Sequence, residues 1–119
     1  MIYKKHHAVS SLKPNKEFTW LGTDYSGFNW LDSSTKPTES EIDAEVTRLN
    51  NAESMRLLRV ERDRLLTACD WRDSSDLTLS TAWKTYRQNL RDLPASASPK
   101  LDSDGNLDMS SVTFPTEPS

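Results

Sequence analysis

Large apolar residues alternate with polar ones in Glu17-Phe18-Thr19-Trp20-Leu21 and again in Phe28-Asn29-Trp30-Leu31, and residues 22–27 between them carry turn formers, with Gly22 and Gly27 at the ends. Two runs of period two around a turn predict a β-hairpin. An isolated hairpin is marginal in water, so its aromatic face must pack against helices or a partner. The period changes after Lys36-Pro37. Thr38 followed by Glu41 has the spacing of a capping box, in which the threonine accepts from a first-turn N–H and the glutamate reaches back to the Thr38 N–H. Glu39, Glu41 and Asp43 suit the positive end of a helix dipole. From there Ile42, Val46 and Leu49 form one apolar stripe, which lapses at Asn50-Asn51 and resumes out of phase with Met55, Leu58, Leu65 and Ala68. The pattern predicts a helix with a bend or break near Asn51.

Residues 70–76, rich in Asp and Ser, favour turns and caps over continued helix and are expected to form a loop. Ser80 is a candidate cap for a second helix that lines up Trp83, Tyr86 or Arg87, Leu90 and Leu93 and ends at Pro94. The two helices make an αα-hairpin. Beyond Pro94 the background turns to Ala, Ser, Pro, Asp and Gly, with Leu101, Leu107, Met109, Val112 and Phe114 as apolar anchors. Alone, such a segment is expected to be disordered. The spacing of two within Leu107/Met109 and Val112/Phe114 puts each pair on one face of a strand, with a kink at Ser110-Ser111. These side chains either bind a partner as an extended arm or fold back onto the helices as core. The fold class expected is mainly α with a small β part: an N-terminal aromatic β-hairpin segment (1–37), a helical module (38–94) and an extended C-terminal tail (95–119).

Composition sharpens this picture. At 119 residues the chain has room for one small domain with tails, and Leu, Ile, Val and Phe together number only 23, so its core must be thin. Net charge is −3 with both signs interspersed, which disfavours bulk nucleic-acid binding, and the five arginines from Arg48 to Arg64 alternate with acids as a solvated, salt-bridged helix face would. The longest apolar runs are far short of the roughly 20 residues that span a bilayer, and no apolar stretch follows Lys4-Lys5 as in a secretory signal. A single cysteine, Cys69, fits a reducing compartment such as the cytoplasm.

Candidate chemistry is sparse. His6 and His7 stand side by side at an N-terminus expected to lack structure, and three glycines cannot build a phosphate loop or a dinucleotide fingerprint. A hydrolytic triad needs a nucleophile, a base and an orienting group, and a zinc site needs three or four converging ligands; neither is visible, and no cofactor is expected. Asp102-Ser103-Asp104-Gly105-Asn106 lacks the closing glutamate of a calcium loop and reads as a turn. Tryptophan carries more information. Trp71 and Trp83 either supply the core that the aliphatic residues do not, or form part of an interface, where aromatics and arginine are enriched.

The segment from Arg59 to Trp71, containing Arg59, Arg62-Asp63, Leu65-Leu66 and Asp70-Trp71, and the segment from Trp83 to Pro94, containing Trp83, Tyr86-Arg87, Leu90-Arg91-Asp92-Leu93-Pro94, together resemble the helical module of bacteriophage tail fibre assembly proteins, also called tail assembly chaperones. That module reads R-x-x-R-D-x-L-L, then D-W, then W-x-x-Y-R-x-x-L-R-D-L-P, and each letter is present here. Asp24-Tyr25, Asn29 to Asp32, residues 36–41 and Val112-Thr113-Phe114-Pro115 are similar to flanking segments in such proteins. The resemblance implies a non-enzymatic helper acting in the host cytoplasm, with no nucleic acid or membrane as partner, that binds the distal part of a trimeric tail fibre during folding or assembly. A minor structural component of the tail is the alternative. As an oligomer, or in three copies per fibre trimer, it would match the fibre's symmetry. Partner contacts are expected from Trp20, Tyr25, Trp30, Leu107, Met109, Val112 and Phe114. Arg62, Asp63, Asp70, Trp71, Trp83, Tyr86, Arg87, Leu90 and Asp92 are expected to act structurally, tying the two helices and the Asp-Trp turn together.

Overall fold

The computed structural model describes residues 1–73 and 79–118, so part of the expected 70–76 loop lies outside the described residues. Its spine is one 30-residue helix, α2 (Glu39–Ala68), around which α1 (Lys5–Leu12), the antiparallel strands β1 (Phe18–Trp20) and β2 (Phe28–Trp30), and α3 (Thr81–Ser96) are arranged. The protein is mainly helical with a small hairpin, and elongated at 65 × 25 × 20 Å.

The capping box forms as its spacing requires. Thr38 Oγ1 accepts from the Glu41 N–H at 3.1 Å, and the Glu41 carboxylate accepts from the Thr38 N–H at 3.4 Å. No break occurs near Asn51, because α2 runs as one helix to Ala68. The stripe shifts phase there because the helix changes partners. Ile42 is buried with Ala8, Val9 and Phe28, and Val46 and Leu49 pack on that cluster. Farther along, Leu58 is buried with Leu93 and Val112, and Leu65 and Leu66 pack against Cys69, Trp83, Tyr86 and Leu90. Between the two regimes, polar residues meet main chain that crosses the helix. The Asn50 side chain accepts from the Tyr3 N–H at 2.7 Å and donates to the Tyr3 carbonyl at 3.1 Å, while the buried Ser54 hydroxyl lies 2.9 Å from the Pro99 carbonyl. An apolar side chain at either place would strand buried main-chain groups.

The N-terminus is not without structure, as His6 and His7 lie on α1. His7 Nδ1 accepts from the Lys4 N–H at 2.9 Å, and Ala8 and Val9 are fully buried. Eight residues are too few to be a stable helix alone; packing on α2 supplies the stability that no stripe in the sequence announces. The hairpin has the expected face, pairing Phe18 with Trp30 and Trp20 with Phe28, the last two stacked at 4.6 Å. Its connection is one residue longer than expected, residues 21–27, and ends in a 3₁₀ turn.

Ser80 caps α3, accepting from the Trp83 N–H at 3.3 Å. The helix passes through Pro94 to Ser96 instead of stopping there. In the last turn a proline removes a single main-chain bond, and the Ala97 N–H closes the helix on the Leu93 carbonyl at 3.0 Å. Trp83 lies beside Leu65, Leu66 and Cys69, and Leu93 beside Leu58, so α3 runs back along α2 as an αα-hairpin.

Beyond α3 the segment folds onto the protein's own helices, which corrects the expectation of disorder. Leu101 bridges Leu107, and Asp102 Oδ1 accepts from the Asp104 and Asn106 N–H groups, making residues 102–106 the expected turn. Gly105 has φ +82, and a Cβ there would lie 2.7 Å from the Ile2 nitrogen. Main chain from the N-terminus passes against this turn: the Met1 amino group donates to the Gly105 carbonyl at 2.6 Å and to Glu53 Oε2 at 3.1 Å.

Candidate interaction site

At the end of α2 the Leu66 carbonyl accepts from the Cys69 N–H at 3.2 Å, and α3 delivers a cation to it as a second donor. Arg87, 9% exposed, donates through Nη1 to the Leu66 carbonyl at 3.1 Å and to Cys69 Sγ at 3.0 Å, and through Nη2 to Asp70 Oδ1 at 2.8 Å. The planar guanidinium fork makes these contacts at once, which an ammonium cannot. The Asp70 carboxylate raises the Arg87 pKa further above its already high value. Trp83 and Tyr86 pack edge to face at 5.5 Å beside this node, and Leu90 is fully buried below it.

The expected network therefore contains Asp70, Trp83, Tyr86, Arg87 and Leu90, but not every residue assigned to it. Arg62 pairs with its neighbour Asp63 at 2.9 Å on α2, and Asp92 accepts from Gln88 on α3, so among the described residues neither bonds across the two helices. Residues a turn apart on one helix, as Gln88 and Asp92 are, lie side by side, and sequence spacing alone does not distinguish such a contact from a link between helices. Trp71 lies in a 3₁₀ turn, Asp70–Asp73, and is 59% exposed.

The residues expected to meet a partner divide in the same way. Trp20, Tyr25 and Trp30 are half-buried around Phe28; the Tyr25 hydroxyl donates to the Pro37 carbonyl and Trp30 Nε1 to the Ser34 carbonyl, both at 2.7 Å. Val112 is buried against Leu58 and Leu93, with Leu107 and Phe114 packed beside it, so these side chains serve the protein's own core rather than standing free. Their fold-back is the other of the two arrangements the spacing allowed. Met109 opens a 3₁₀ turn, Met109–Ser111, and is exposed, since the turn breaks the strand alternation that would have placed it with Leu107.

Two buried acids escaped the sequence. Glu45 and Glu53 look like members of a solvated face, and Arg48 and Arg56 do pair with them at i+3. Each is nonetheless only 8% exposed. The Arg48 guanidinium, with Ser11 assisting, holds the Glu45 carboxyl down at about 2; Arg56, aided by the Met1 amino group, does the same for Glu53, also to about 2. Positions 45, 53 and 61 all begin Glu-x-x-Arg, but burial of the first two follows from α1 and the N-terminal chain lying over them.

The second half of α2, the Arg87 node, α3 and the folded-back tail coincide with a family model described as phage tail assembly chaperone protein, which matches residues 55–119. The chain belongs to the phage tail assembly chaperone protein family. Comparison with curated proteins and with solved structures yields no match. Within the chaperone, the matched region begins at Met55, just beyond the point where α2 changes partners, and includes the whole αα-hairpin core. α1, the hairpin and the first half of α2 lie outside it. Membership in an assembly chaperone family implies interaction with phage tail proteins. No helix among the described residues is long and apolar enough to cross a membrane.

Proposed function

We propose that the protein is a non-enzymatic chaperone that binds the distal part of a trimeric tail fibre in the host cytoplasm while the fibre folds and assembles. The family match over residues 55–119 carries this reading, and the arginine- and tryptophan-bearing motif within it resembles that of fibre assembly proteins in particular. A fibre tip buries its apolar surface only after three chains meet, and until then exposed strands and patches invite aggregation. A small protein that covers them suppresses wrong association. Apolar side chains suited to such covering are exposed: Val60 and Met109 are both more than half exposed.

Co-expression with the fibre tests the reading. The yield of soluble fibre trimer should fall sharply without the protein, and light scattering of the complex should give three copies per trimer. An unchanged trimer yield overturns the chaperone role, and a single copy per trimer overturns symmetric capping. Mass spectrometry of purified virions should find it far below fibre stoichiometry; equal stoichiometry would make it a structural tail component.

A further inference from the structure

A cleft of about 760 Å³ lies between α1 and β1, lined by Lys4, Lys5 and His6 on one side, Phe18, Trp20, Gly22 and Thr23 on the other, with Val46 contributed by α2. Its wall of β1 is also a sheet edge. The bonds from the Leu31 N–H to the Glu17 carbonyl and from the Leu21 N–H to the Gly27 carbonyl make 17/31 and 21/27 bonded pairs. By the period of two, 19/29 is the third, and the main-chain groups of Phe18 and Trp20 point away from β2. The opposite edge obeys the same parity: the outward carbonyl of Phe28 accepts from Lys36 Nζ at 3.1 Å, and that ammonium also lies over the Tyr25 and Phe28 rings. A lysine thus blocks the β2 edge, as protected edges generally are. No main-chain bond to the outward groups of Phe18 or Trp20 occurs among the described residues.

Charge distinguishes the occupant. Residues 1–37 hold five lysines and three acids in a chain whose net charge is −3, and no acid lines the cleft among the described residues. The nearest counter-charge is Asp43, 3.9 Å from Lys5 Nζ, a long contact between half-exposed groups that an incoming carboxylate can replace.

We propose that β1 and this cleft form a docking site for an extended, acidic segment of the tail-protein partner, which adds to β1 as a third strand. Main-chain bonds to Phe18 and Trp20 supply register. Alternate apolar side chains enter the cleft over Trp20 and Val46, and carboxylates meet Lys4 and Lys5. The site lies outside the residues shared with the family model, so it would set partner choice on a common helical core. That the segment comes from a tail protein rests on the chaperone reading above; the strand-adding, acid-selecting chemistry does not.

The full-length protein, labelled with ¹⁵N, is titrated with a synthetic nine-residue peptide in which glutamates alternate with phenylalanine and valine. Saturable amide shifts are expected at Trp20, Gly22 and His6. A peptide with lysines in place of the glutamates should bind at least tenfold more weakly, and methylating alternate peptide nitrogens should abolish binding in one phase only. The double variant K4E/K5E should lose at least tenfold in affinity with an unchanged circular dichroism spectrum, and Thr23→Lys should bind more tightly. Absence of saturable shifts at millimolar peptide, equal binding of the lysine peptide, indifference to the phase of methylation, or concentration-dependent shifts at Trp20 without peptide, which would seat a second copy there, each overturns the proposal. Peptide binding together with failure to co-purify the fibre leaves the docking site standing and removes only the fibre as its source.

Discussion

Arg87 on α3 and Asp70, just past the end of α2, meet at 2.8 Å, and the same guanidinium also serves the Leu66 carbonyl. The pair is lopsided: the Arg87 side chain is 11% exposed and that of Asp70 60%. Most of the stabilisation therefore comes from the buried end of the contact, where the arginine adds a second donor to a carbonyl and packs on the core, and little from the solvent-screened carboxylate.

Arg87→Ala should accordingly destabilise the protein by about 1–3 kcal/mol, from the lost packing of a buried side chain and the lost hydrogen bonds of a charged donor. For a protein of this size that lowers Tm by several degrees, readable by calorimetry. Asp70→Asn should cost less than about 1 kcal/mol. Arg62→Ala, which among the described residues breaks an ion pair only with the exposed Asp63, should cost less than Arg87→Ala. An Arg87→Ala variant with unchanged Tm and lost fibre binding would show that the node is a binding site instead.

Removal of the tail should destabilise rather than merely disarm. Val112 closes the cluster containing Leu58 and Leu93, so Val112→Ala should cost about 2 kcal/mol in chemical denaturation. Met109→Ala, at a half-exposed position, should be near neutral in stability. Truncation after Pro94 also removes the Pro99 carbonyl beside Ser54, and a lowered, broadened melting transition is expected.

Acid should weaken the fold through two carboxylates. Glu45 and Glu53 titrate at about 2 in the folded protein, against 4.5 as the ordinary value, so the unfolded chain binds their protons more readily. Their contribution is complete above about pH 4.5 and is lost as pH falls from there toward 2. Urea midpoints measured across that window should decline, and Glu53→Gln should flatten the decline while lowering stability at neutral pH.

The two glycines with positive φ should respond differently to alanine. A methyl group added at Gly22, where φ is +80, would meet nothing within 4 Å, so Gly22→Ala should cost about 1 kcal/mol from conformation alone. Gly105→Ala adds collisions with Met1 and Ile2 main chain and should cost more, with loss of amide-exchange protection at Tyr3, the next residue along.

What the sequence disclosed was whatever depends on neighbours along the chain. The Thr38–Glu41 capping box, the Ser80 cap, the Phe18/Trp20 against Phe28/Trp30 face and the Asp102 turn are all local, and all are present. The helical motif from Arg59 to Pro94 pointed to the family for the same reason. What it hid depends on who lies across: α1 packs its apolar side chains Ala8, Val9 and Leu12 inward, too few to make a legible stripe, and the change of stripe at Asn50 registers a change of partner that has the same pattern as a kink. Glu45 and Glu53 are identical to surface glutamates until Ser11 and Met1 are seen beside them. Val112 could serve a partner or its own core, and only the position of Leu58 and Leu93 decides between them.

Because α2 has no break, it also acts as a ruler. From Val46, in the cleft, to Leu66, under Arg87, the helix spans about 30 Å at about 1.5 Å per residue. A molecule held at one end meets the other at a set distance and angle, so a second contact is governed by the length of a rod and not by the slack of a linker. Two points on a bound surface spaced to that rod would meet both ends at once, and points at any other spacing would meet one end only.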